Sequence, residues 1–217
     1  MNKTQNEILE VPLKTSFVLE RDQSQSNKGI LILHGFTDHA QSARRRLIGT
    51  NAIPNQTIFA PNALFPSPLK KDSEYKEAYA WYYRDFQTKM QMISPEFAAE
   101  MLIKLINKLE LINVTWKIIG FSQGGFFAPH LVHAGLKTEK IIAVGAAFLK
   151  ESYQKFPTNI PIHGIHGEQD AVVPFHFAKS TFEKLSDFKL NTQFHAISNL
   201  GHTLNDEGRK IIANLIL

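Results

Sequence analysis

Short apolar segments typical of β-strands alternate with amphipathic helical segments along most of this chain. The segment GILILHGF at 29–36 is apolar enough to suit a strand that is buried on both faces of a sheet. The segment at 94–111 has a helical pattern, with Ser94 suited to the N-cap and Pro95 to the first turn. Because successive strands joined through helices pair in parallel, the alternation predicts an α/β fold with a mostly parallel central sheet and helices on both faces.

The same alternation continues through the rest of the chain. We predict further strands at 15–21, 57–61, 116–121, 141–148, 161–167 and 192–198, and further helices at about 124–135, 174–188 and 205–216. The 217 residues, 43% of them hydrophobic, can bury one sizeable core, and no change of composition suggests a linker. We therefore expect residues 1–217 to form a single domain.

Residues 61–94 do not follow the alternation. Loops of this length within a compact domain are usually functional or poorly ordered. This one carries Trp81, Tyr82, Tyr83 and Phe86 close together, which solvated linkers seldom do. The aromatic content therefore favours an ordered, functional segment.

Composition and charge exclude several classes of protein. The net charge of +4 comes without a nucleic-acid-binding motif, so no nucleic-acid partner is expected. The absence of cysteine rules out disulfides, a thiol nucleophile and thiolate metal sites. Residues 1–15 lack the apolar core of a signal peptide, and no run of about 18 apolar residues occurs. We expect no integral membrane segment and a cytoplasmic location, and both monomer and homodimer stay open.

The segment GFSQG at 120–124 fits the G-x-S-x-G pattern of a nucleophile elbow, a sharp turn that displays a serine between a strand and a helix. The pattern alone is weak, because a tight strand-to-helix connection can produce it. Here an apolar strand precedes it and a helix pattern follows, which favours Ser122 as a nucleophile.

A serine hydroxyl needs a base, and the base needs a group that orients it. In this type of sheet the chain order is serine, acid, histidine. Asp170 follows the predicted strand at 161–167, and His202 follows the one at 192–198. Both positions lie at the carboxyl ends of strands, on the same edge as Ser122, so we predict the triad Ser122–Asp170–His202.

Other residues compete for these roles. Asp170 could instead cap the helix that follows it, and Asp187 is a rival acid at the far end of that helix. The remaining candidates better suit packing, bracing or helix-end roles: His34, His176, His195 and Asp206.

Stabilising an oxyanion requires two N–H donors. One is the backbone N–H of Gln123, at the start of a helix, and the other comes from the loop after an early strand, for which the N–H of Phe36 is the candidate.

Together these motifs resemble a known family. From LHGFTD through IFAPNA, AWYYRDF, GFSQGG and HGEQDAVVP to LGHTLNDEG, the chain is similar to the carboxylesterase/phospholipase family of the α/β-hydrolase fold, which includes the acyl-protein thioesterases. By this resemblance Ser122, Asp170 and His202 match the nucleophile, acid and base. Phe36 and Gln123 match the oxyanion donors, and AWYY matches the Trp-containing substrate segment.

The chain departs from the family pattern at several positions. Thr37 stands where glycine is usual, and WYYRD reaches an acidic residue later than the family segment does. Phe126 and Phe127 replace small residues after the elbow, and Pro129 is expected to kink or loosen the helix there. These departures concern the acyl pocket more than the chemistry.

The resemblance implies a serine hydrolase that cleaves carboxylic esters or thioesters through an acyl-enzyme, with no metal or cofactor. The expected substrate is a small ester or thioester or an acylated protein. The alternative is a catalytically silent binding protein on the same scaffold.

We expect an apolar substrate site lined by Leu64, Phe65, Trp81, Tyr82 and Phe148, although packing would explain each of them equally well. Arg44, Arg45 and Arg46 could meet an acidic substrate surface, but a solvated helix face explains them better.

Overall fold

The computed structural model of the chain describes residues 14–22, 26–85, 88 and 90–217. Phe86 and residues 1–13, which entered two of the expectations above, lie outside this description. The strands are β1 (Phe17–Glu20), β2 (Lys28–Leu33), β3 (Thr57–Pro61), β4 (Phe65–Pro66), β5 (Leu69–Lys71), β6 (Glu74–Lys76), β7 (Tyr79–Ala80), β8 (Tyr83–Arg84), β9 (Gln91–Ile93), β10 (Thr115–Phe121), β11 (Thr138–Val144), β12 (Ile162–Gly167) and β13 (Thr192–Ile197). The helices are α1 (Ala40–Ile48), α2 (Pro95–Lys108), α3 (Gln123–His133), α4 (Lys150–Tyr153), α5 (Phe175–Glu183), which a 3₁₀ helix (Lys184–Phe188) follows, and α6 (Asp206–Ile216).

Seven strands form the central sheet of the described residues, in the order β1-β3-β2-β10-β11-β12-β13. All neighbours pair in parallel except β1, which lies antiparallel to β3 at one edge of the sheet. The predicted α/β fold with a mostly parallel sheet is confirmed. Because the parallel strands run the same way, the loops that follow β2, β10, β12 and β13 open at one edge, where ligands bind in such sheets.

Helices cover both faces of the sheet, and β2 shows why its sequence is continuously apolar. Leu31 and Leu33 pack into the core cluster beneath α2, α3 and α5, whereas Ile30 and Ile32 pack into the cluster beneath α1 and α6. Successive side chains of a strand point to opposite faces, so a strand covered on both sides must be apolar at every position. The prediction of a doubly buried strand is confirmed.

Residues 61–94 form an ordered extension of the fold. Beyond the end of β3, the described residues of this segment make three two-stranded sheets, in which β4 pairs with β7, β5 with β6, and β8 with β9. The extension is joined to the loop after β2 by a hydrogen bond from Tyr79 N–H to the carbonyl of Asp38. The segment therefore lies against the loop that precedes α1.

Two helices bear on the expectations. No helix bounds were predicted around residues 44–46, where the structure has α1 with His39 as its N-cap. Pro129 does not interrupt α3, which continues to His133, because the helix is buried against β10 and β11 and packing outweighs the loss of one helical hydrogen bond. No helix among the described residues is both long and apolar enough to cross a bilayer.

Arg44 corrects the expectation of a solvated helix face at 44–46. Its side chain is buried, and its guanidinium donates to both carboxylate oxygens of Glu20, at 3.0 and 3.1 Å. It also donates to the carbonyls of Gly49 and Asn51. Arg44 thus ties the end of α1 to β1, because the helix brings its side chain over the edge strand.

Candidate active site

Ser122 occupies a sharp turn between β10 and α3. Its backbone has φ 49° and ψ −117°, in the left-handed region that β-carbons disfavour, and its N–H donates to the carbonyl of Val144 at 2.8 Å. A Cβ at Gly120 would lie 2.3 Å from the carbonyl oxygen of Gly124, and one at Gly124 would lie 2.4 Å from that of Leu33. The glycines on either side of Ser122 are therefore required by the close approach of three backbone segments.

Asp170 lies in the loop that follows β12 and is 5% exposed. Its Oδ1 accepts hydrogen bonds from the N–H groups of Val172 and Val173, both at 2.9 Å. Its Oδ2 lies 2.7 Å from His202 Nδ1. One carboxylate oxygen thus shapes the loop while the other faces the histidine.

His202 follows β13 and bridges the other two residues. Its Nδ1 faces Asp170, and its Nε2 lies 3.0 Å from Ser122 Oγ. The ring packs on Phe121 with centroids 5.1 Å apart, and Gly145 leaves room for its other side. This geometry suits the tautomer in which Nδ1–H donates to the carboxylate and Nε2 accepts from the hydroxyl.

The structure thus brings Ser122 and Asp170 each within hydrogen-bond distance of His202. The competing residues lie elsewhere: Asp187 is exposed in the 3₁₀ helix, His176 is exposed in α5, His195 lies within β13, and Asp206 pairs with Arg209 at the start of α6.

His34 braces the loop after β2. Its Nδ1 donates to the carbonyl of Gly35 at 2.6 Å, and its Nε2 accepts from the N–H of Ala63 at 2.9 Å. Burial lowers the pKa of His34 to about 4. Its carbonyl accepts from Trp81 Nε1 at 2.8 Å. These contacts agree with the interpretation of His34 as a brace rather than a base.

Thr37 keeps the backbone conformation that the family's usual glycine would favour. Its φ is 53°, in the left-handed region, which is rare for a β-branched residue. The preceding residue, Phe36, is half exposed and packs edge-on against Tyr83, with ring centroids 6.0 Å apart. Thr37 thus holds the loop after β2 in a conformation that glycine would adopt with less strain.

Gln123 takes part in the site through its side chain as well as its backbone. Its Oε1 accepts from the N–H of Trp81 and its Nε2 donates to the carbonyl of Tyr82, both at 2.9 Å. The amide therefore fixes the segment at 81–82 to the residue that follows Ser122. Sequence reasoning missed this role, because the two partners lie some 40 residues upstream and are backbone atoms.

His166 is a second residue whose contribution to the site was not predicted from the sequence. It is buried in β12, donates from Nε2 to the carbonyl of Val173 at 2.8 Å, and lies 3.3 Å from Asp170 Oδ2. Burial lowers the pKa of His166, which keeps the ring neutral beside the carboxylate. Its place at the start of HGEQD was the one signal available.

A cavity of about 510 Å³ opens beside Ser122. Among the described residues, it is lined by members of four segments: Phe36, then Tyr82, Tyr83 and Arg84, then Ser122, Gln123 and Phe126, and last Val172, Val173, Pro174 and Phe177. The wall is mostly aromatic and aliphatic. Within the described chain, no group of three or more His, Asp or Glu side chains is arranged to hold a metal ion.

The predicted substrate contacts are only partly matched by this wall. Tyr82 lies on it. Trp81 is buried and stacks on Phe127 at 4.8 Å, and Phe148 is buried against Tyr153 and Phe182, so both are packed in the core instead.

Leu64 and Phe65 likewise lie outside the wall. Phe65 packs against Tyr83 and Phe97. Of the five residues predicted to line the substrate site, only Tyr82 lies on the wall of this cavity.

Comparison with known proteins agrees with this architecture. The model of the phospholipase/carboxylesterase family matches residues 14–216. Lysophospholipase-like protein 1 of Mus musculus is 32% identical over 93 residues, and this match spans 40% of the chain and 39% of that protein's length.

Solved structures show the same fold. Acyl-protein thioesterase 2 of Zea mays superposes with a TM-score of 0.69 at 19% identity, covering 93% of this chain and 98% of the other. A carboxylesterase of Mesorhizobium loti gives a TM-score of 0.70 at 17% identity, covering 97% and 98%. Since the family model extends over nearly the whole chain and the fold agrees, the chain belongs to the phospholipase/carboxylesterase family of α/β-hydrolases.

Proposed function

We propose that the chain is a serine hydrolase that cleaves carboxylic esters or thioesters. Family membership supports an esterase-type hydrolase in general. One observation supports the serine mechanism in particular: the imidazole of His202 lies within hydrogen-bond distance of both the Ser122 hydroxyl, at 3.0 Å, and the Asp170 carboxylate, at 2.7 Å. A serine, a base and an orienting acid in this arrangement are what acyl transfer requires.

In the proposed mechanism, Ser122 Oγ attacks the acyl carbon while His202 Nε2 takes its proton. Asp170 holds the imidazole in the required tautomer and stabilises its charged form. The imidazolium then protonates the leaving oxygen or sulfur while its bond to the acyl carbon breaks. This releases the alcohol or thiol and leaves the acyl group as an ester on Ser122. Water, deprotonated by the same histidine, attacks this ester and releases the carboxylic acid.

The oxyanion of each tetrahedral intermediate would accept hydrogen bonds from the backbone N–H groups of Phe36 and Gln123. Gln123 is the first residue of α3, so its N–H is among the donors that a helix leaves unpaired at its start. Phe36 and Gln123 line the same cavity as Ser122. The helix dipole adds to this stabilisation.

The cavity wall supports a substrate with an apolar acyl or alcohol part. Its volume of about 510 Å³ lies within the range of small-molecule sites, and aromatic and aliphatic side chains dominate the lining. A small ester or thioester, or the acyl group of an acylated protein, would fit this description.

A fluorophosphonate probe tests the proposal directly, because it reacts only with an activated serine. We expect the wild-type protein to be labelled and the Ser122→Ala variant not to be. Ser152→Ala is the matched control, since Ser152 Oγ lies 3.4 Å from His130 Nε2, and His130 Nδ1 lies 3.0 Å from Glu96. This second serine–histidine–carboxylate set does not line the cavity beside Ser122, so Ser152→Ala should be labelled normally.

Two results would contradict the proposal. Absence of labelling in folded wild-type protein would favour a silent binding protein on a hydrolase scaffold. Equal labelling of the Ser122→Ala variant would place the reactive nucleophile elsewhere.

A further inference from the structure

Arg84 places a positive charge on the wall of the cavity that contains Ser122. It belongs to β8, is half-buried, and lines the cavity beside Tyr82 and Tyr83. The other described residues that line the cavity have aliphatic, aromatic, hydroxyl or amide side chains, so Arg84 carries the one formal charge among them. An esterase needs no cation at this position for the chemistry proposed above.

The Arg84 side chain also has no hydrogen-bond or ion-pair partner among the residues that the structure describes. Among the described residues, no carboxylate lies within ion-pair distance of its guanidinium, and no side-chain hydrogen bond holds it. Most other arginines are bonded: Arg21 to the carbonyl of Leu109, Arg44 to Glu20, Arg46 to Asp38, and Arg209 to Asp206. Arg84 thus keeps its five donors available to a ligand.

The surroundings strengthen the attraction of this charge for an anion. Apolar walls lower the local dielectric constant, so a charge there acts more strongly on a ligand than one on an open surface. Its field reaches the neighbouring wall: burial raises the pKa of the Tyr82 phenol, and the charge of Arg84 acts against that rise. A guanidinium binds carboxylate and phosphate groups through two parallel hydrogen bonds.

We propose that Arg84 makes this chain selective for esters or thioesters that carry an anionic group, a carboxylate or a phosphate, away from the scissile carbonyl. The inference rests on the proposed hydrolase function and specifies its substrate class. An apolar part of the substrate would lie along the aromatic wall while the anion meets the guanidinium. The same chemistry fits an anion on the acyl side or on the leaving-group side.

Two pairs of substrates distinguish the acyl side from the leaving-group side. The first pair is the 4-nitrophenyl monoester of suberic acid and its methyl ester, which differ by a charge at the far end of the acyl chain. The second pair is 4-(butyryloxy)benzoic acid and its methyl ester, which differ by a charge on the leaving group. For each pair, the quantity measured is the ratio of kcat/KM, anionic to neutral.

We expect Arg84→Gln to lower this ratio about tenfold for at least one pair, as for a lost hydrogen bond to a charged group. Arg84→Glu should lower it further, and Arg84→Lys should retain part of it. The loss should appear mainly in KM and should shrink at high ionic strength, because salt screens the charge. Arg45→Gln is the matched control, since Arg45 is exposed on α1 and lines a different surface depression; its ratio should equal that of the wild type.

A binding measurement keeps the inference testable without turnover. In the Ser122→Ala background, the anionic ester should bind more tightly than the neutral one, and Arg84→Gln should abolish the difference. If both esters are hydrolysed but Arg84→Gln and Arg45→Gln change the ratio equally, or not at all, selectivity by Arg84 is wrong and the hydrolase function stands. If the wild type neither hydrolyses esters nor reacts with the fluorophosphonate, the hydrolase function is wrong, and the binding difference alone decides whether Arg84 recognises anions.

Discussion

Replacing Asp170 by Asn and by Ala separates two roles of one carboxylate. Oδ1 accepts from the N–H groups of Val172 and Val173, and Oδ2 faces His202 Nδ1. Asn keeps an oxygen for the two N–H groups but places an NH₂ group opposite Nδ1–H. The imidazole must then take the tautomer with a proton on Nε2, which cannot accept the proton of Ser122.

The two variants should therefore lose activity to a similar extent but differ in stability. We expect Asp170→Asn to lower kcat/KM about 10³- to 10⁴-fold, or about 4–5.5 kcal/mol of transition-state stabilisation, while the loop keeps its hydrogen bonds. Asp170→Ala should be similarly inactive, but it leaves a buried N–H unpaired. Its free energy of unfolding should fall by a further 1–3 kcal/mol or so relative to the Asn variant.

Urea unfolding gives the free energies, and hydrolysis of a neutral 4-nitrophenyl ester gives kcat/KM. The reasoning is refuted if folded Asp170→Asn protein keeps its activity within tenfold of the wild type. It is also refuted if the Ala variant is as stable as the Asn variant, since the two N–H bonds would then contribute nothing.

Three further predictions concern residues around the site. The pKa of His34 is about 4 in the folded protein and about 6.5 in the unfolded chain, so the unfolded state binds more protons between these values. The free energy of unfolding should therefore fall by about 3 kcal/mol in total as the pH drops through this window. Urea unfolding of His34→Gln should show a shallower fall, and the same dependence of unfolding free energy on pH in both proteins would contradict this. Gln123→Glu keeps the backbone N–H but turns a carboxylate oxygen toward the carbonyl of Tyr82. We expect the free energy of unfolding to fall by about 1–3 kcal/mol, and an unchanged value would count against the amide contacts. In thermal unfolding, Thr37→Gly should be more stable than Thr37→Ala by about 1 kcal/mol. Both variants lack the hydroxyl, but only glycine relieves the strain of the positive φ, so the reverse order of stability would rule out strain at this position.

Much of the fold could be predicted because its signals are local. The order of strands and helices follows from apolar periodicity, and the glycines around Ser122 report a crowded turn that any strand-to-helix connection of this kind must make. Asp170 and His202 were selected by their places after strands. Residues that follow parallel strands lie at the same edge of the sheet, whatever the details of packing.

The rest depended on partners distant in sequence. Arg44 and Arg84 are the same residue type, yet one is neutralised by Glu20, 24 residues upstream, and the other faces the cavity. The residues adjacent to Arg44 do not reveal its distant partner. Trp81 and Tyr82 are adjacent, yet one stacks in the core and the other lines the cavity. The sequence by itself determined most strands of the central sheet and most of the helices between them, because apolar periodicity is decided within a few residues, whereas α1 and the short strands β4–β9 were not predicted. Only the tertiary structure decided which side chains meet, because burial, charge pairing and cavity walls arise between elements far apart in the chain.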